Sequence, residues 1–341
     1  MPAAATADGP RPVRIRTRFT ERFGLEHPIV CAPMALVTGA RLAGAVSAAG
    51  GLGILGGGYC GTLGGEPDLA DDLAQLAGQR FGVGFITWAL ASAPHVLPLA
   101  LSHRPAFVFL SFGDPRPFAA AIHASGAELI CQIQSLHHLD QALEAGATVI
   151  VAQGTEAGGH GAGRSTLPLV PEVRDALERR APGVLLLAAG GVADGRGLAA
   201  ALMLGADAAL VGTRFWASAE ALTPDAATDR AIAGSGDDTV RTSAVDALRG
   251  VPWPPEFSFR IIRNMLTDEW GGREAEARQQ FGSLAREYAR ARAAGDLSLV
   301  ATVAGECIGL IRDRPPAQEI VARMVAEALA CFARAATGDF R

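Results

Sequence analysis

The sequence predicts an α/β fold, a (β/α)8 TIM barrel with a helical insertion after its eighth strand. Short apolar runs rich in Val, Ile, Leu and Phe alternate with segments of helical periodicity between Pro28 and Gly212. Such runs are typical of parallel strands that are buried on both faces. Glycine, which makes up 41 of the 341 residues, recurs where a helix would turn back into the sheet.

Eight candidate strands alternate with seven candidate helices. The strands are expected at 28–34, 51–55, 81–87, 106–112, 128–133, 148–153, 184–189 and 208–212. The helices are expected at 40–49, 68–79, 94–102, 115–125, 135–145, 169–180 and 195–204. Gly126, Gly146 and Gly205 follow three of these helices, where a left-handed glycine commonly ends a helix.

An open doubly wound sheet is the competing topology, because Gly51, Gly53 and Gly56 match the G-x-G-x-x-G pattern of dinucleotide-binding proteins. In that pattern the glycines form a turn between a strand and a helix. Here they lie inside an apolar run, so the closed barrel is favoured. In such a barrel the functional loops follow the carboxyl ends of the strands.

The alternation stops near residue 219, and four parts are expected. Residues 1–14 form a disordered tail, 15–218 the barrel, 219–299 a helical insertion that covers the barrel mouth, and 300–341 a C-terminal helix that packs back on the barrel. Prolines flank Trp253 inside the insertion, and the segment 318–335 places apolar residues on one helical face.

Composition excludes several classes of protein. The net charge of −5 argues against nucleic-acid binding, and all 30 basic residues are arginine, which excludes a Schiff-base lysine and a P-loop. Five widely spaced cysteines indicate neither disulfides nor a metal site. Without a secretory signal or a membrane-spanning run, a cytoplasmic protein is expected.

The loop 154–161 follows the sixth strand and contains His160 among glycines. Glycines allow a flat ligand to approach the backbone closely, and histidine is the natural base near neutral pH. The alternative is that His160 only stabilises a turn.

Small residues also follow the seventh and eighth strands, at Gly190, Gly191, Gly212 and Thr213. These two loops of a barrel frequently bind phosphate through backbone N–H groups and a helix N-terminus. Tight turns without a ligand are the alternative.

Three further strand ends carry candidate ligand contacts. Pro33 fixes the backbone after the first strand, and the soft side chain of Met34 suits packing on an aromatic ring system or in a core. Gln132 and Gln153 end strands five and six, where their amides can bond the edge of a heterocycle or water.

The segments 28–34, 50–53, 153–160, 189–191 and 212–215 together resemble the nitronate monooxygenase family, formerly called 2-nitropropane dioxygenases. A close relative with the same type of barrel is the FMN-dependent enoyl-acyl-carrier-protein reductase. The resemblance extends from about residue 28 to 215, and weakly through 309–312.

The resemblance implies an FMN-containing barrel in which His160 is the catalytic residue, acting as base or positioning the substrate. The implied cofactor contacts are Gly190, Gly191, Gly212 and Thr213 at the phosphate, Ala32, Pro33, Met34, Gly158 and Gly159 at the isoalloxazine ring, and Gly84, Gln132 and Gln153 near its edge. Many family members have asparagine in place of Gly84, and some have a lysine and an acidic residue in place of the two glutamines.

The implied reaction is the oxidation of an alkyl nitronate by dioxygen to a carbonyl compound and nitrite. The expected partners are a small nitronate or nitroalkane and dioxygen, with no nucleic acid, membrane or metal; a homodimer is the candidate assembly. An NAD(P)H-dependent enoyl-acyl-carrier-protein reductase is the alternative, with Arg260 and Arg263 as candidates for a basic patch that binds the acidic carrier. A non-catalytic flavin-binding barrel is the second alternative.

Overall fold

The structure, a computed structural model, describes residues 14–61 and 68–339. Within these residues the strands are β1 (Ile29–Cys31), β2 (Leu52–Gly58), β3 (Gly82–Ile86), β4 (Phe107–Ser111), β5 (Glu128–Ile133), β6 (Val149–Gln153), β7 (Gly159–Gly161), β8 (Leu185–Ala189), β9 (Ala208–Val211), β10 (Thr239–Thr242) and β11 (Ser258–Ile262). Strands β1 to β6, β8 and β9 close into a parallel barrel. The barrel prediction is confirmed, and each of the eight candidate strands overlaps one barrel strand.

Helices between the barrel strands pack on the outside of the barrel, and sixteen α-helices in all lie within the described residues. They are α1 (Arg18–Phe23), α2 (Ala40–Ala48), α3 (Leu69–Gln75), α4 (Thr87–Ser92), α5 (Val96–Ser102), α6 (Arg116–Ser125), α7 (Leu136–Glu144), α8 (Thr166–Arg180), α9 (Gly195–Met203), α10 (Thr213–Trp216), α11 (Asp225–Ala233), α12 (Ala244–Arg249), α13 (Met265–Trp270), α14 (Glu274–Gln279), α15 (Phe281–Ala294) and α16 (Ala317–Thr337). Short 3₁₀ helices cover Gly236–Asp238 and Glu306–Leu310. Helix α16 packs against α9 and α2.

The barrel strands are mostly apolar because both of their faces are buried. Phe107 and Phe109 of β4 fill the barrel interior, whereas Val108 and Leu110 of the same strand pack against the surrounding helices. Successive strand residues point to opposite faces, so most positions on both faces are apolar, and polar residues such as Ser111, Gln132 and Gln153 lie near the carboxyl ends of their strands. This explains why the sequence shows continuous apolar runs instead of alternation.

The G-x-G-x-x-G pattern lies inside β2 and has a packing role. A Cβ atom on Gly53 would lie 1.8 Å from the carbonyl oxygen of Ala43, and one on Gly56 would lie 2.4 Å from that of Met34. The two glycines therefore allow the backbones of α2 and of the loop after β1 to lie directly against β2. The pattern does not open a helix, which agrees with the rejection of a dinucleotide site.

The insertion contains strands as well as helices, so the prediction of a helical module is incomplete. Strand β11 pairs antiparallel with β10 on one side and with β7 on the other. In the second pair Phe259 lies opposite His160. Strands β10 and β11 have four and five residues, and in segments this short the hydrophobic periodicity of a strand cannot be distinguished from that of a helix turn. Their partner β7 lies in a glycine-rich loop, which gives no strand pattern in the sequence.

The boundaries of the four expected parts stay predictions. The expected disordered tail 1–14 lies outside the described residues except for Arg14, whose guanidinium is 3.1 Å from the Glu26 carboxylate. Across 14–61 and 68–339, no helix combines the length and apolarity needed to cross a bilayer.

We expect Gly53→Ala to lower the free energy of unfolding by about 1–3 kcal/mol, because the added methyl group overpacks the contact between β2 and α2. Gly183→Ala is the matched control, since nothing lies within 4 Å of its Cβ position. Urea unfolding of both variants measures the effect. Equal stability of the two variants would contradict the packing role of Gly53.

Candidate active site

Two adjacent cavities lie at the carboxyl ends of the barrel strands. The histidine cavity, about 230 Å³, is bordered by His160, Tyr59, Arg249 and Trp253. The glycine cavity, about 90 Å³, is bordered by the loops after β8 and β9. Both are bordered by a shared set of residues, Ala32, Met34, Gln132, Gln153, Gly158 and Val303.

All thirteen residues expected at the site line these cavities. His160, Pro33, Gly84 and Gly159 line the histidine cavity, Gly190, Gly191, Gly212 and Thr213 line the glycine cavity, and Ala32, Met34, Gln132, Gln153 and Gly158 line both. The sequence motifs thus come together at one rim of the barrel. Their roles in binding and catalysis stay predictions.

The glycine cavity presents backbone donors. Gly190 and Gly191 have φ values of +105° and +77°, which glycine adopts without strain. In the part of the chain that is described, the N–H groups of Gly191, Val192 and Gly212 donate to no protein acceptor. Unshielded N–H groups of this kind form anion-binding concavities.

The helix N-terminus expected to support a phosphate is only partly available. In the first turn of α9, Asp194 accepts from two backbone N–H groups and Glu327 accepts from Gly195 N at 2.8 Å. Thr213 Oγ1 accepts from Gly305 N at 3.0 Å, so this hydroxyl also has a protein partner. In the glycine cavity the free backbone donors, more than α9, are the groups with bonding capacity left for an anion.

The loop after β1 is fixed by close contacts. Thr38 Oγ1 donates to Ala32 O at 2.9 Å, and a Cβ atom on Gly84 would lie 2.4 Å from Pro33 Cβ. Glycine at position 84 is therefore required by Pro33, which leaves no room for the asparagine of many relatives.

His160 is held by three side chains of the insertion. Its Nε2 lies 2.8 Å from Asp246 Oδ2. Its ring stacks between Trp253, at a centroid distance of 3.4 Å, and Phe259, at 4.3 Å. Both stacks are nearly parallel, with interplanar angles of 7° and 16°. The imidazole is thus fixed in position and in orientation.

The surroundings of His160 lower its pKa, which favours the neutral ring. Burial lowers its pKa and outweighs the hydrogen bond and negative charge of Asp246, which raise it; Arg249 and Arg241 lower it further. The hydrogen bond to Asp246 favours the tautomer that carries its proton on Nε2, which leaves the lone pair on Nδ1. Nδ1 has no protein partner among the described residues. It is therefore the ring nitrogen that is available to a substrate.

The two glutamines differ in their bonding. Gln153 Nε2 donates to His160 O at 3.1 Å, and Gln134 Nε2 donates to Gln153 Oε1 at 2.8 Å. Gln153 therefore positions the loop that carries His160 through the backbone carbonyl of that residue. Gln132 borders both cavities, and its amide makes no hydrogen bond to the rest of the described chain. The Gln132 amide is thus the one with its full bonding capacity left for a ligand.

Two arginines of the insertion, Arg241 and Arg260, hold the glycine-rich loop. Arg241 donates to the carbonyl oxygens of Thr155, Ala157 and Gly161, and burial lowers its pKa to about 10. Arg260 donates to Thr155 O at 2.9 Å and pairs with Glu306 at 2.7 Å. Arg260 is buried, so its suggested place in an exposed basic patch is wrong. In a helix, Arg260 and Arg263 would share one face because they are three residues apart. Arg260 instead lies in strand β11, and Arg263 follows the strand and is exposed.

Sequence reasoning missed Asp246, Trp253, Phe259, Arg241 and Gln134. The first three contact His160 from 86 to 99 residues further along the chain. No local motif predicts such contacts. The only available signal was Trp253 between prolines, which indicated a chain break. Across the described ranges, no cluster of three or more His, Cys, Asp or Glu side chains could hold a metal ion.

The fold and site define a class, the (β/α)8-barrel proteins with a ligand cavity at the carboxyl ends of the strands. The family model for nitronate monooxygenase matches residues 16–83 and 68–327. The chain belongs to the nitronate monooxygenase family.

Individual relatives agree with this assignment. The chain is 34% identical to a nitronate monooxygenase of Neurospora crassa, covering 88% of each protein. It is 37% identical to the nitronate monooxygenase npaC of Metarhizium robertsii, covering 86% of this chain and 88% of that protein. Among solved structures, FabK from Thermotoga maritima superposes with a TM-score of 0.81 at 29% identity, covering 95% of this chain and 99% of that one.

We expect Asp246→Asn to lower the pKa of His160 further, because the change removes the carboxylate that raises it. The measurement is an NMR titration of protein labelled with ¹³C-histidine, with the signal assigned by its loss in His160→Gln. In the unmodified protein the midpoint should lie below the ordinary histidine value of about 6.5. Asp140→Asn, at an exposed pair with Arg180, is the control. A midpoint that rises in Asp246→Asn would contradict the assigned electrostatics.

Proposed function

We propose that this protein uses FMN to oxidise alkyl nitronates with dioxygen, yielding a carbonyl compound and nitrite. The observation that carries the proposal is the junction of the two cavities. A row of free backbone donors lies at one end, a fixed neutral imidazole lies at the other, and Gln132 and Met34 border both. Family membership supports the same reaction.

The residues present fit FMN. The N–H groups of Gly191, Val192 and Gly212 would hold its phosphate, since they have no protein acceptor in the described ranges. Met34 would pack on the isoalloxazine ring, and the Gln132 amide would bond the ring edge. When bound, FMN supplies the electron acceptance and the reactivity toward dioxygen.

The protein contributes orientation and proton management. His160 Nδ1 offers a lone pair to a substrate proton, while the Nε2 bond to Asp246 keeps the ring from rotating. The aromatic rings of Trp253 and Phe259 exclude water from both faces of the imidazole. A neutral nitroalkane needs a base at this position, whereas a nitronate needs only to be positioned.

An NAD(P)H-dependent enoyl-acyl-carrier-protein reductase is the second candidate, favoured by the likeness to FabK. The burial of Arg260 weakens it, because a carrier protein requires an exposed basic surface near the mouth. Rapid reduction of the bound flavin by NADH under anaerobic conditions would favour this candidate over nitronate oxidation. The cytoplasmic location and the homodimer stay predictions.

We expect apo-protein to bind FMN at least tenfold more tightly than riboflavin, because only FMN carries a phosphate for the free N–H groups. Gly191→Ala should weaken FMN binding more than riboflavin binding, since alanine at φ +77° costs about 1–2 kcal/mol and shifts the donors. Flavin fluorescence titration measures both ligands. Equal affinity for FMN and riboflavin would contradict the phosphate site.

We expect His160→Ala to retain FMN but to lose activity toward neutral nitroalkanes by roughly 10²- to 10⁴-fold, the usual contribution of a general base. Oxygen uptake with nitroethane measures the activity, and the visible spectrum measures FMN content. His103→Gln, which lines neither cavity, is the matched control. Unchanged turnover in His160→Ala would contradict the role of His160 as a base and would mean that this histidine only stabilises the loop.

A further inference from the structure

The histidine cavity is bordered by a positively charged side chain, Arg249, to which the proposed function assigns no role. Arg249 ends α12 and lines the cavity together with His160 and Tyr59. Its guanidinium carbon lies 5.9 Å from the centroid of the Tyr59 ring. Residues three apart share one face of a helix, so the helix turn that brings Asp246 to His160 also brings Arg249 to the cavity.

Arg249 is the charged side chain that lines the histidine cavity. Within residues 14–61 and 68–339, Arg249 forms no ion pair, and its contacts are with Tyr59. Arg260, by contrast, pairs with Glu306. No described Asp or Glu lines the histidine cavity. The Asp246 carboxylate is bonded to His160 Nε2 and does not line the cavity, so Arg249 is the charged group that a ligand there would meet.

We propose that Arg249 binds the two oxygen atoms of the substrate's nitronate group, and that it selects the nitronate anion over the neutral nitroalkane. This inference rests on the proposed function. A nitronate is a planar anion whose two oxygens are arranged like those of a carboxylate, and the planar guanidinium fork binds such groups through two parallel hydrogen bonds. The neutral nitroalkane has the same two oxygens but no net charge.

The position of Arg249 also suits a small substrate. Arg249 and His160 border the same space of about 230 Å³, so a short alkyl nitronate reaches both. The aromatic side chains around them, Trp253, Phe112 and Tyr59, provide an apolar wall for the alkyl group. Water is displaced from this wall, which strengthens the attraction between the anion and the guanidinium.

The test compares ethylnitronate with nitroethane, two compounds that differ by one proton. In Arg249→Met, the KM for ethylnitronate should rise roughly tenfold to a hundredfold, the usual effect of losing a charge-assisted hydrogen bond, while kcat changes little. The KM or inhibition constant of nitroethane should stay within about threefold. Arg249→Lys keeps the charge without the fork and should lie between. Arg263→Met, at an exposed arginine of the same insertion, should match the unmodified protein.

A binding measurement separates this inference from the proposed function. Nitrate is a planar anion that is not turned over, and its affinity for the FMN-loaded protein can be measured by isothermal titration calorimetry. Arg249→Met should weaken nitrate binding by a similar factor. An equal effect on ethylnitronate and nitroethane, or unchanged nitrate affinity, would overturn the role of Arg249. Absence of nitronate-dependent oxygen uptake would defeat the proposed function alone.

Discussion

The structure of the site depends on the contacts that three side chains of the insertion make with His160. Asp246 fixes the ring through Nε2, and Trp253 and Phe259 enclose its two faces. The loop that carries His160 consists mostly of glycine and small residues, which cannot restrain an imidazole by themselves. The pairing of β7 with β11 joins this loop to the insertion. The insertion therefore contributes side chains to the candidate active site.

The same interface determines which backbone groups face a ligand. Arg241 and Arg260 take up carbonyl oxygens of the loop 155–161. Arg260 is buried and Arg241 is partly buried, and the cost of removing them from water is offset because the carbonyl oxygens and Glu306 accept from their donors. At the glycine cavity the free groups are instead N–H donors. In the proposed complex, backbone N–H groups would bind an anion at one end of the site and Arg249 would bind one at the other.

The barrel and the glycine motifs could be predicted from the sequence because their signals are local. An apolar run such as 106–112 indicates a strand buried on both faces, and the pair Gly190 and Gly191 indicates a backbone with positive φ values. Asp246 could not be predicted, since it meets His160 only after the chain has folded across 86 residues. Strands β10 and β11 were missed for a related reason. Their stability comes from pairing with a distant glycine loop, and their short length carries no periodic signal.

The most direct measurement is a crystal structure of the FMN-loaded protein. We expect the phosphate to contact the N–H groups of Gly191, Val192 and Gly212, and the isoalloxazine ring to lie against Met34 with His160 still bonded to Asp246. A flavin bound outside the two joined cavities, or a His160 ring released from the insertion and turned away from the flavin, would contradict this account.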